Sequence, residues 1–374
     1  MSTGTIMEHF SDLPDPRTHI LKNRHLFMEI IVIAICATIC GADDWVAVSA
    51  FGRAKKEWLG TFLELPHGIP SHDTFDRIFS MIDPHEFQKC FVSWMQSVAR
   101  ILEGEIIPID GKTLRRSHDS KSNKTAIHMV SAWANASRLV LGQVKTEEKS
   151  NEITAIPELL RVLDIRGCIV TIDAMGCQKK IAEQIIEQGG DYVLGLKGNQ
   201  GSLLDAVEET FANATTKDLD GADFDFHQTE ESGHGRHEVR SYYTCSLLDR
   251  LPNPREWEGL QTVGAVLSEV TTKGKTTTEC RYYIASIEND AQVFANAVRS
   301  HWGIENSCHW VLDVAFREDE SRVRKGHGPE NLALLRHIAL NLIREERTAK
   351  LGVKNKRLRA GWDNRYLAKV LFGK

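Results

Sequence analysis

The feature that most restricts the fold is the order of strand and helix patterns between residues 101 and 199. Three strand-like segments come first: "EIIPID", "TAIHMVSAWAN" and "RLVLGQVKTE". The helix-like "NEITAIPELLRVLDI" and "CQKKIAEQIIEQGG" then alternate with the apolar strands "GCIVTIDAMG" and "DYVLGLKGN". This order predicts an α/β fold with a mixed sheet, in which three antiparallel strands are followed by parallel strands reached through helical crossovers.

The sequence on either side of this core has different patterns. Residues 1–100 show helical periodicity and no strand pattern, which predicts an N-terminal helical domain. A second domain is predicted over residues 101–374, interrupted at about 205–288 by a threonine-rich, alternating stretch that indicates an inserted β region, with "TKGK" as a hairpin turn. Helices return at Asp290. Ser71 is predicted to cap one N-terminal helix, and Pro84 to begin the next.

Charge and hydropathy bear on the partners. The net charge of -5 is mild, but the tail from Arg344 to Lys374 holds ten Lys or Arg against three acids. Such a basic tail fits either a solvated helix face or contact with a polyanion. The longest apolar run, "IIVIAICATICGA", is too short to cross a bilayer and indicates a buried core helix. Eight cysteines without a CxxC pair favour a reduced, cytoplasmic protein without a common zinc site.

Two predicted strands end in an acid, Asp110 in "PIDG" and Asp173 in "TIDAMG". Strands one and four lie side by side in the predicted order, so both acids should meet at one edge of the sheet. Either acid alone is compatible with a simple turn, but two close carboxylates repel each other unless they share a proton or bind a cation. Hard oxygen ligands suit Mg²⁺ or Mn²⁺, which points to phosphoryl transfer.

A third acid would complete such a site, and the best candidate is Glu305 in "HWGIEN". It lies on a predicted helix that begins near Asp290, where apolar neighbours would anchor it: Trp302, Ile304, Cys308 and Leu312. A lone glutamate on a helix is more often a surface residue. Four rival acids follow in the sequence: Asp313, Glu318, Asp319 and Glu320.

Polar residues near these acids are candidates for phosphate contact. Lys197 and Asn199 end a further strand on the same side, although a strand-ending turn explains them equally well. "GHGRHE", with His234, Arg236 and His237, fits a solvated hairpin or a phosphate contact.

The motifs "IPIDGKTLRRS", "TIDAMGCQ", "YVLGLKGNQ", "GHGRHEVR", "HWGIENSCHWVLDVAFREDESR" and "PENLALLRHIALNLI" together resemble the H-repeat-associated insertion-sequence transposases. The N-terminal "FSDLPDPR", "CGADDW" and "GIPSHDTFDRIF" extend the resemblance over nearly the whole chain. These proteins belong to the DDE superfamily, whose catalytic core is RNase H-like.

The resemblance implies a catalytic and metal-binding triad of Asp110, Asp173 and Glu305. It also implies Mg²⁺ or Mn²⁺, with two ions when DNA is bound, and double-stranded DNA at element ends and target as substrate. A homodimer on DNA is expected by analogy. The residues expected to contact DNA are Lys112, Arg115, Arg116, Lys197, Asn199, Arg236 and His301. Many bacterial relatives carry Tyr, Arg and Lys at fixed offsets around the glutamate, where this chain has Val298, His301 and Leu312.

Three functions are compatible with these motifs. The first is a transposase that cuts and joins strands at the ends of an insertion sequence. The second is a metal-dependent nuclease of the same fold, and the third is a DNA-binding remnant that no longer catalyses. The helix at "SHDTFDRIF" is a candidate for sequence reading through Ser71, His72, Thr74 and Arg77, with a purely packing role as the alternative.

Overall fold

The computed structural model describes residues 6–17, 24–99, 101–118, 125–146, 152–213, 223–233 and 235–373. In the N-terminal part the helices are α1 (Ile6–Phe10), α2 (Phe27–Ile39), α3 (Trp45–Ala54), α4 (Lys56–Leu59), α5 (His72–Met81) and α6 (Pro84–Val98). Ser71 caps α5 by accepting a hydrogen bond from the Thr74 N–H, and Pro84 begins α6, as predicted. The predicted helix "DWVAVSAFGRAKKEWLGTFL" is two helices, α3 and α4, which meet at Lys55.

The central sheet follows in the predicted order. Its strands are β1 (Ile106–Thr113), β2 (His128–Ala134), β3 (Leu139–Lys145), β4 (Ile169–Ile172) and β5 (Asp191–Leu196). The helices α7 (Glu152–Val162) and α8 (Lys179–Glu187) connect β3 to β4 and β4 to β5, and α9 (Gly201–Ala212) follows β5. Strand β1 pairs antiparallel with β2 and parallel with β4, so the predicted RNase H-like mixed sheet is confirmed.

The inserted strands extend this sheet. They are β6 (Phe224–Gly233), β7 (Arg236–Cys245), β8 (Thr262–Thr272) and β9 (Lys275–Ala285). Strand β9 pairs antiparallel with β5, which gives one nine-stranded sheet in the order β3-β2-β1-β4-β5-β9-β8-β7-β6. Lys273 and Gly274 both have positive φ and form the predicted turn between β8 and β9.

The described chain after Asp290 is helical. It comprises α10 (Ala291–Gly303), a π-helical turn (Ile304–His309), α11 (Trp310–Phe316), α12 (Gly328–Glu345), α13 (Val353–Trp362) and α14 (Asn364–Phe372). Asp290 caps α10 by accepting hydrogen bonds from the backbone N–H groups of Gln292 and Val293, both at 2.9 Å.

Alternating residues of the parallel strands pack on different helices. Ile107, Val170 and Leu194 belong to a large core that also holds α7 and α8 residues such as Leu159 and Ile181. Their neighbours Ile106, Ile169 and Val193 belong to a second core with Phe294 and Ala297 of α10. Because side chains alternate across a strand, α10 covers one face of the sheet and α7 and α8 cover the other.

The N-terminal helices share the large core with the sheet. Buried residues of α2, α5 and α6, such as Ile33, Phe79 and Phe91, pack in the same cluster as Leu335 of α12. The domain boundary near residue 100 stays a prediction. No helix within the described ranges is long and apolar enough to cross a membrane.

Candidate active site

The register of β1 and β4 brings two aspartates together. Ile109 and Ile172 form the last parallel pair of these strands, and Asp110 and Asp173 are the next residue on each. Asp110 lies four residues after Ile106, and Asp173 lies four residues after Ile169. Side chains alternate across a strand, so both aspartates are on the same face of the sheet as these isoleucines, which is the face that α10 covers. The prediction that β1 ends at Asp110 is wrong, because β1 continues to Thr113 through its pairing with β2.

The third acid comes from an irregular turn of the helix that covers this face. The buried Phe294 and Val298 fix α10 against the sheet, and the helix then widens into the π turn Ile304–His309. Within that turn Ile304 and Cys308 are buried while Glu305 is exposed. A π turn adds one residue to a helical turn and is frequent at functional sites.

Asp110, Asp173 and Glu305 line one cavity of about 670 Å³. Its other polar lining residues come from β4, the end of β5, α9, β9 and α10: Thr171, Lys197, Glu208, Glu279, Cys280, Arg281, Tyr282, Tyr283, His301 and Trp302. The structure therefore brings the three predicted acids to one place. Ile304, Cys308 and Leu312 anchor the helix as predicted, but Trp302 is 40% exposed and lies in the cavity wall.

The carboxylates influence one another through their charge. Burial raises the pKa of Asp110 to about 7, and the nearby negative charges of Glu152, Asp173 and Glu305 raise it further, while the Gly111 N–H opposes the shift. A carboxyl group with this pKa is half protonated near neutral pH. Its charged form is favoured if a cation enters the cavity.

The donor set is suited to a hard divalent cation, because all three candidate ligands are carboxylates. As they stand, no three His, Cys, Asp or Glu side chains in the described ranges are grouped closely enough to hold a metal ion. The chemistry of the three side chains, rather than their present grouping, is what fits such an ion.

Two histidines, one in α10 and one in the π turn, lie beside the aspartates. His309 has its Nδ1 3.5 Å from Asp110 Oδ2, and burial lowers the pKa of His309 to about 3. His301 Nδ1 is 3.0 Å from the Thr171 hydroxyl, and burial lowers the pKa of His301 as well. Both imidazoles are neutral at pH 7, so His301 faces the cavity without adding positive charge to it.

Lys112 forms ion pairs inside the protein. Its ammonium bonds to Asp313 and, at 2.8 Å, to the buried Glu318, whose other oxygen is 3.7 Å from the Arg336 guanidinium. The Lys112 side chain is only 12% exposed. Contact between Lys112 and DNA would therefore require these pairs to break. Asp313 and Glu318, two of the four rival acids, take part in this ion-pair network.

The other predicted DNA contacts lie in different surroundings. Arg115 is exposed and pairs with Asp319 at 3.2 Å, and Arg116 is exposed beside it. Lys197 lies in the cavity, whereas the Asn199 amide donates to the Ala174 carbonyl at 2.7 Å and fixes the loop behind Asp173.

Arg236 lines a neighbouring cavity of about 690 Å³, where it pairs with Glu238 at 2.8 Å. That cavity shares five lining residues with the first: Glu279, Arg281, Tyr283, Val298 and Trp302. His234 lies outside the described residues.

Sequence reasoning missed several cavity residues. Glu279, Arg281 and Tyr283 alternate along β9, and this period of two was the available signal. Arg281 lies 5.0 Å from the Trp302 ring centroid, so a cation and an aromatic ring form one wall of the cavity. Glu152 was also missed. It pairs with His128 at 2.7 Å, and no local pattern links it to Asp110.

Two protein-family models match most of the chain. A family model described as "Transposase DDE domain" matches residues 98–342, and one described as "DDE_Tnp_1-associated" matches residues 7–95. The chain is 42% identical over 378 residues to "H repeat-associated putative transposase YhhI" of Escherichia coli (strain K12), covering 100% of this chain and 99% of that protein. It is 44% identical over 375 residues to "Putative transposase YncI" of Escherichia coli O157:H7, covering 99% of this chain and 95% of that one.

Among solved structures, the piggyBac transposase in its synaptic complex with hairpin DNA aligns with a TM-score of 0.46 and 10% identity, over 98% of this chain and 79% of that chain. The sequence matches define the class, which is that of the DNA transposases. The chain belongs to the DDE transposase family and is similar over its full length to the H repeat-associated members.

Proposed function

We propose that this transposase cleaves DNA strands at the ends of an insertion sequence and joins them to target DNA, with Asp110, Asp173 and Glu305 as its catalytic carboxylates. One observation supports this most directly. Three acids that are far apart in the sequence line a single cavity, and the pKa of Asp110 responds to the charges of the other two.

The same three carboxylates would hold Mg²⁺ or Mn²⁺. Divalent ions bound there would activate a water molecule or a 3′-hydroxyl and stabilise the leaving oxygen of the phosphodiester. Asp110 must be deprotonated to act as a ligand, so the site should fill more readily above pH 7. Asp173 is held in place because its carboxylate accepts a hydrogen bond from the Met175 N–H at 3.0 Å.

Positively charged side chains around the cavity would bind the phosphates of the DNA backbone. Lys197 and Arg281 line the cavity itself, while Arg115 and Arg116 follow β1 at its exposed end. Positive side chains at these positions would offset phosphate charge next to a negatively charged site. We also propose that two copies act together on DNA, because transposition joins two element ends.

The test uses a supercoiled plasmid that carries candidate element ends, with Mg²⁺ or with EDTA. Nicked and strand-joined products should form only with the metal, and Asp173→Ala and Glu305→Gln should abolish both. The matched control is Glu320→Gln, which removes an exposed acid paired with Arg317 outside the cavity and should leave the products unchanged.

Each other outcome has a definite meaning. Metal-dependent nicks without joined strands would replace the transposase proposal with a nuclease. DNA binding without any product, in Mg²⁺ and in Mn²⁺, would leave a DNA-binding remnant. Products that survive Glu305→Gln but disappear in Asp313→Asn would show that a rival acid is the third ligand.

A further inference from the structure

We propose that the exposed face of α13 and α14 is a second contact surface for the backbone of duplex DNA. This C-terminal face is defined by Lys350, which precedes α13, and by Lys354, Leu358, Arg359, Trp362 and Arg365. The inference rests on the proposed function, since it assumes that DNA occupies the cavity beside Glu305. It concerns a surface that lies outside that cavity.

The charge of this segment is strongly one-sided. Residues 350–373 contain seven Lys or Arg and one acid, Asp363. Two of the cations have internal roles. Lys356 is buried and donates to the Ile343 carbonyl at 3.0 Å, and Arg357 is buried and donates to the Thr38 carbonyl at 2.9 Å. The basic tail thus has a structural part and an exposed part.

The exposed part forms one face. Lys354, Leu358 and Trp362 are spaced four residues apart on α13 and therefore lie above one another on the same side of the helix. The Arg359 guanidinium lies 4.3 Å from the ring centroid of Tyr366, so it contacts α14.

The single acid of this segment does not neutralise the face. The Asp363 carboxylate caps α14 by accepting hydrogen bonds from the backbone N–H groups of Arg365 and Tyr366, at 2.9 and 3.2 Å. No ion pair joins Lys350, Lys354, Arg359 or Arg365 to an acid within the described ranges. The net charge of the face is therefore positive, which is the charge expected of a surface that binds phosphates.

A large aromatic side chain lies among these cations. Trp362 is 78% exposed, which is more than any other large hydrophobic residue in the described part of the chain, and Leu358 is 42% exposed. A tryptophan left in water between arginines is typical of a surface that packs on a partner. On DNA, such a ring contacts sugars and base edges while its charged neighbours bind phosphates.

The helix that carries part of this face packs on α11, which follows the turn that holds Glu305. Arg357 of α13 donates to the Ala315 carbonyl, and its guanidinium lies 3.9 Å from the Phe316 ring centroid, so α13 packs on the end of α11. Ten residues separate Glu305 from Ala315. That is about 15 Å of helix, and one turn of duplex DNA spans about 34 Å.

The experiment measures binding separately from catalysis. A fluorescent 40-base-pair duplex of arbitrary sequence is titrated with full-length protein in EDTA, at salt concentrations from 50 to 300 mM. The variant Lys350→Gln, Lys354→Gln, Arg359→Gln, Arg365→Gln should lower the slope of log K against log salt by about 3.6, because each lost phosphate contact removes about 0.9. Its affinity at 50 mM salt should fall at least tenfold.

Two further variants sharpen the result. Trp362→Ala should weaken binding by about tenfold with no change of slope, because it removes an uncharged contact. The matched control replaces four other exposed cations near α7 and α8 with Gln: Arg161, Lys180, Arg250 and Arg255. It changes the net charge equally and should keep the wild-type slope. If the fourfold variant is unfolded by circular dichroism, Lys354→Gln alone should lower the slope by about 0.9.

A wild-type slope in the folded variant would overturn the proposal, as would an equal loss in the control. A normal slope with an altered sedimentation coefficient would assign the face to protein association instead. These outcomes are distinct from failure of the proposed function, which appears as missing metal-dependent products while binding in EDTA is intact.

Discussion

Replacing Asp110 with Asn should stabilise the protein when no metal is present. Burial and the neighbouring carboxylates hold the pKa of Asp110 at about 7, compared with 3.8 for an unperturbed aspartate. This difference of about three pKa units corresponds to at most about 4 kcal/mol of unfolding free energy. Asparagine has nearly the same shape and carries no charge, so it removes this penalty.

The sign of the effect follows from proton binding. Between pH 4 and pH 7 the folded protein keeps a proton on Asp110 that the unfolded chain has already lost. The free energy of unfolding of the wild type therefore falls as pH rises through this window, and levels off above pH 7. The variant lacks this contribution, so its advantage over the wild type should grow from pH 4 to pH 7 and then stay constant.

The assay is urea unfolding of both proteins in EDTA at several pH values between 5 and 8. The difference between the two proteins cancels other groups that titrate in the same range. Adding Mg²⁺ at pH 8 should reduce the advantage of the variant, because a cation favours the charged form of Asp110.

The control variant should change the free energy of unfolding in the opposite direction. Burial alone would raise the pKa of Glu318, but Lys112 and Arg336 lower it, so Glu318→Gln should destabilise the protein at pH 7. An advantage of Asp110→Asn that does not change with pH would refute the reasoning about Asp110.

Three other changes have definite expected results. Lys112→Met should cost about 3–5 kcal/mol in urea unfolding at pH 7, because it removes the cation paired with Asp313 and leaves the buried Glu318 with Arg336 alone; a loss below 1 kcal/mol would show that the network is not stabilising. Gly264→Ala should cost about 1–3 kcal/mol, because a Cβ there would lie 2.4 Å from the Phe294 ring; an unchanged melting temperature would contradict this packing. Calorimetric affinity for Mn²⁺ should rise about tenfold per pH unit below pH 7 and level off above it, since Asp110 must lose its proton; an affinity independent of pH would exclude Asp110 as a ligand.

Much of the fold followed from local patterns. The segments "TAIHMVSAWAN" and "GCIVTIDAMG" predicted β2 and β4, and Ser71 and Pro84 marked the starts of α5 and α6. These signals are visible in one segment at a time because they reflect backbone geometry and burial of one side of an element. The predicted strand order placed β1 next to β4, and from this we predicted that Asp110 and Asp173 meet at one edge of the sheet.

Other features depended on contacts between distant segments. The sequence showed that Lys112 follows Asp110 by two residues, which favoured a role in DNA contact. Its ion pairs with Asp313 and Glu318 span about 200 residues, so no local pattern could reveal them. The sequence also did not show which cations of the basic tail are buried and which are exposed. Lys356 and Arg357 are neighbours of the exposed Arg359 in sequence, but their side chains are buried.

The amino-acid sequence by itself determined the type of each main element, the order of strands in the central sheet and the three candidate carboxylates. Those follow from periodicity and from the rule that consecutive crossovers build a sheet in a fixed hand and order. The tertiary structure alone decided that the inserted strands extend the sheet from β5, that a π turn presents Glu305 to the cavity, and which cations are free to meet DNA. These outcomes depend on packing between segments far apart in the chain, where burial and charge pairing, rather than local propensity, set the free energy.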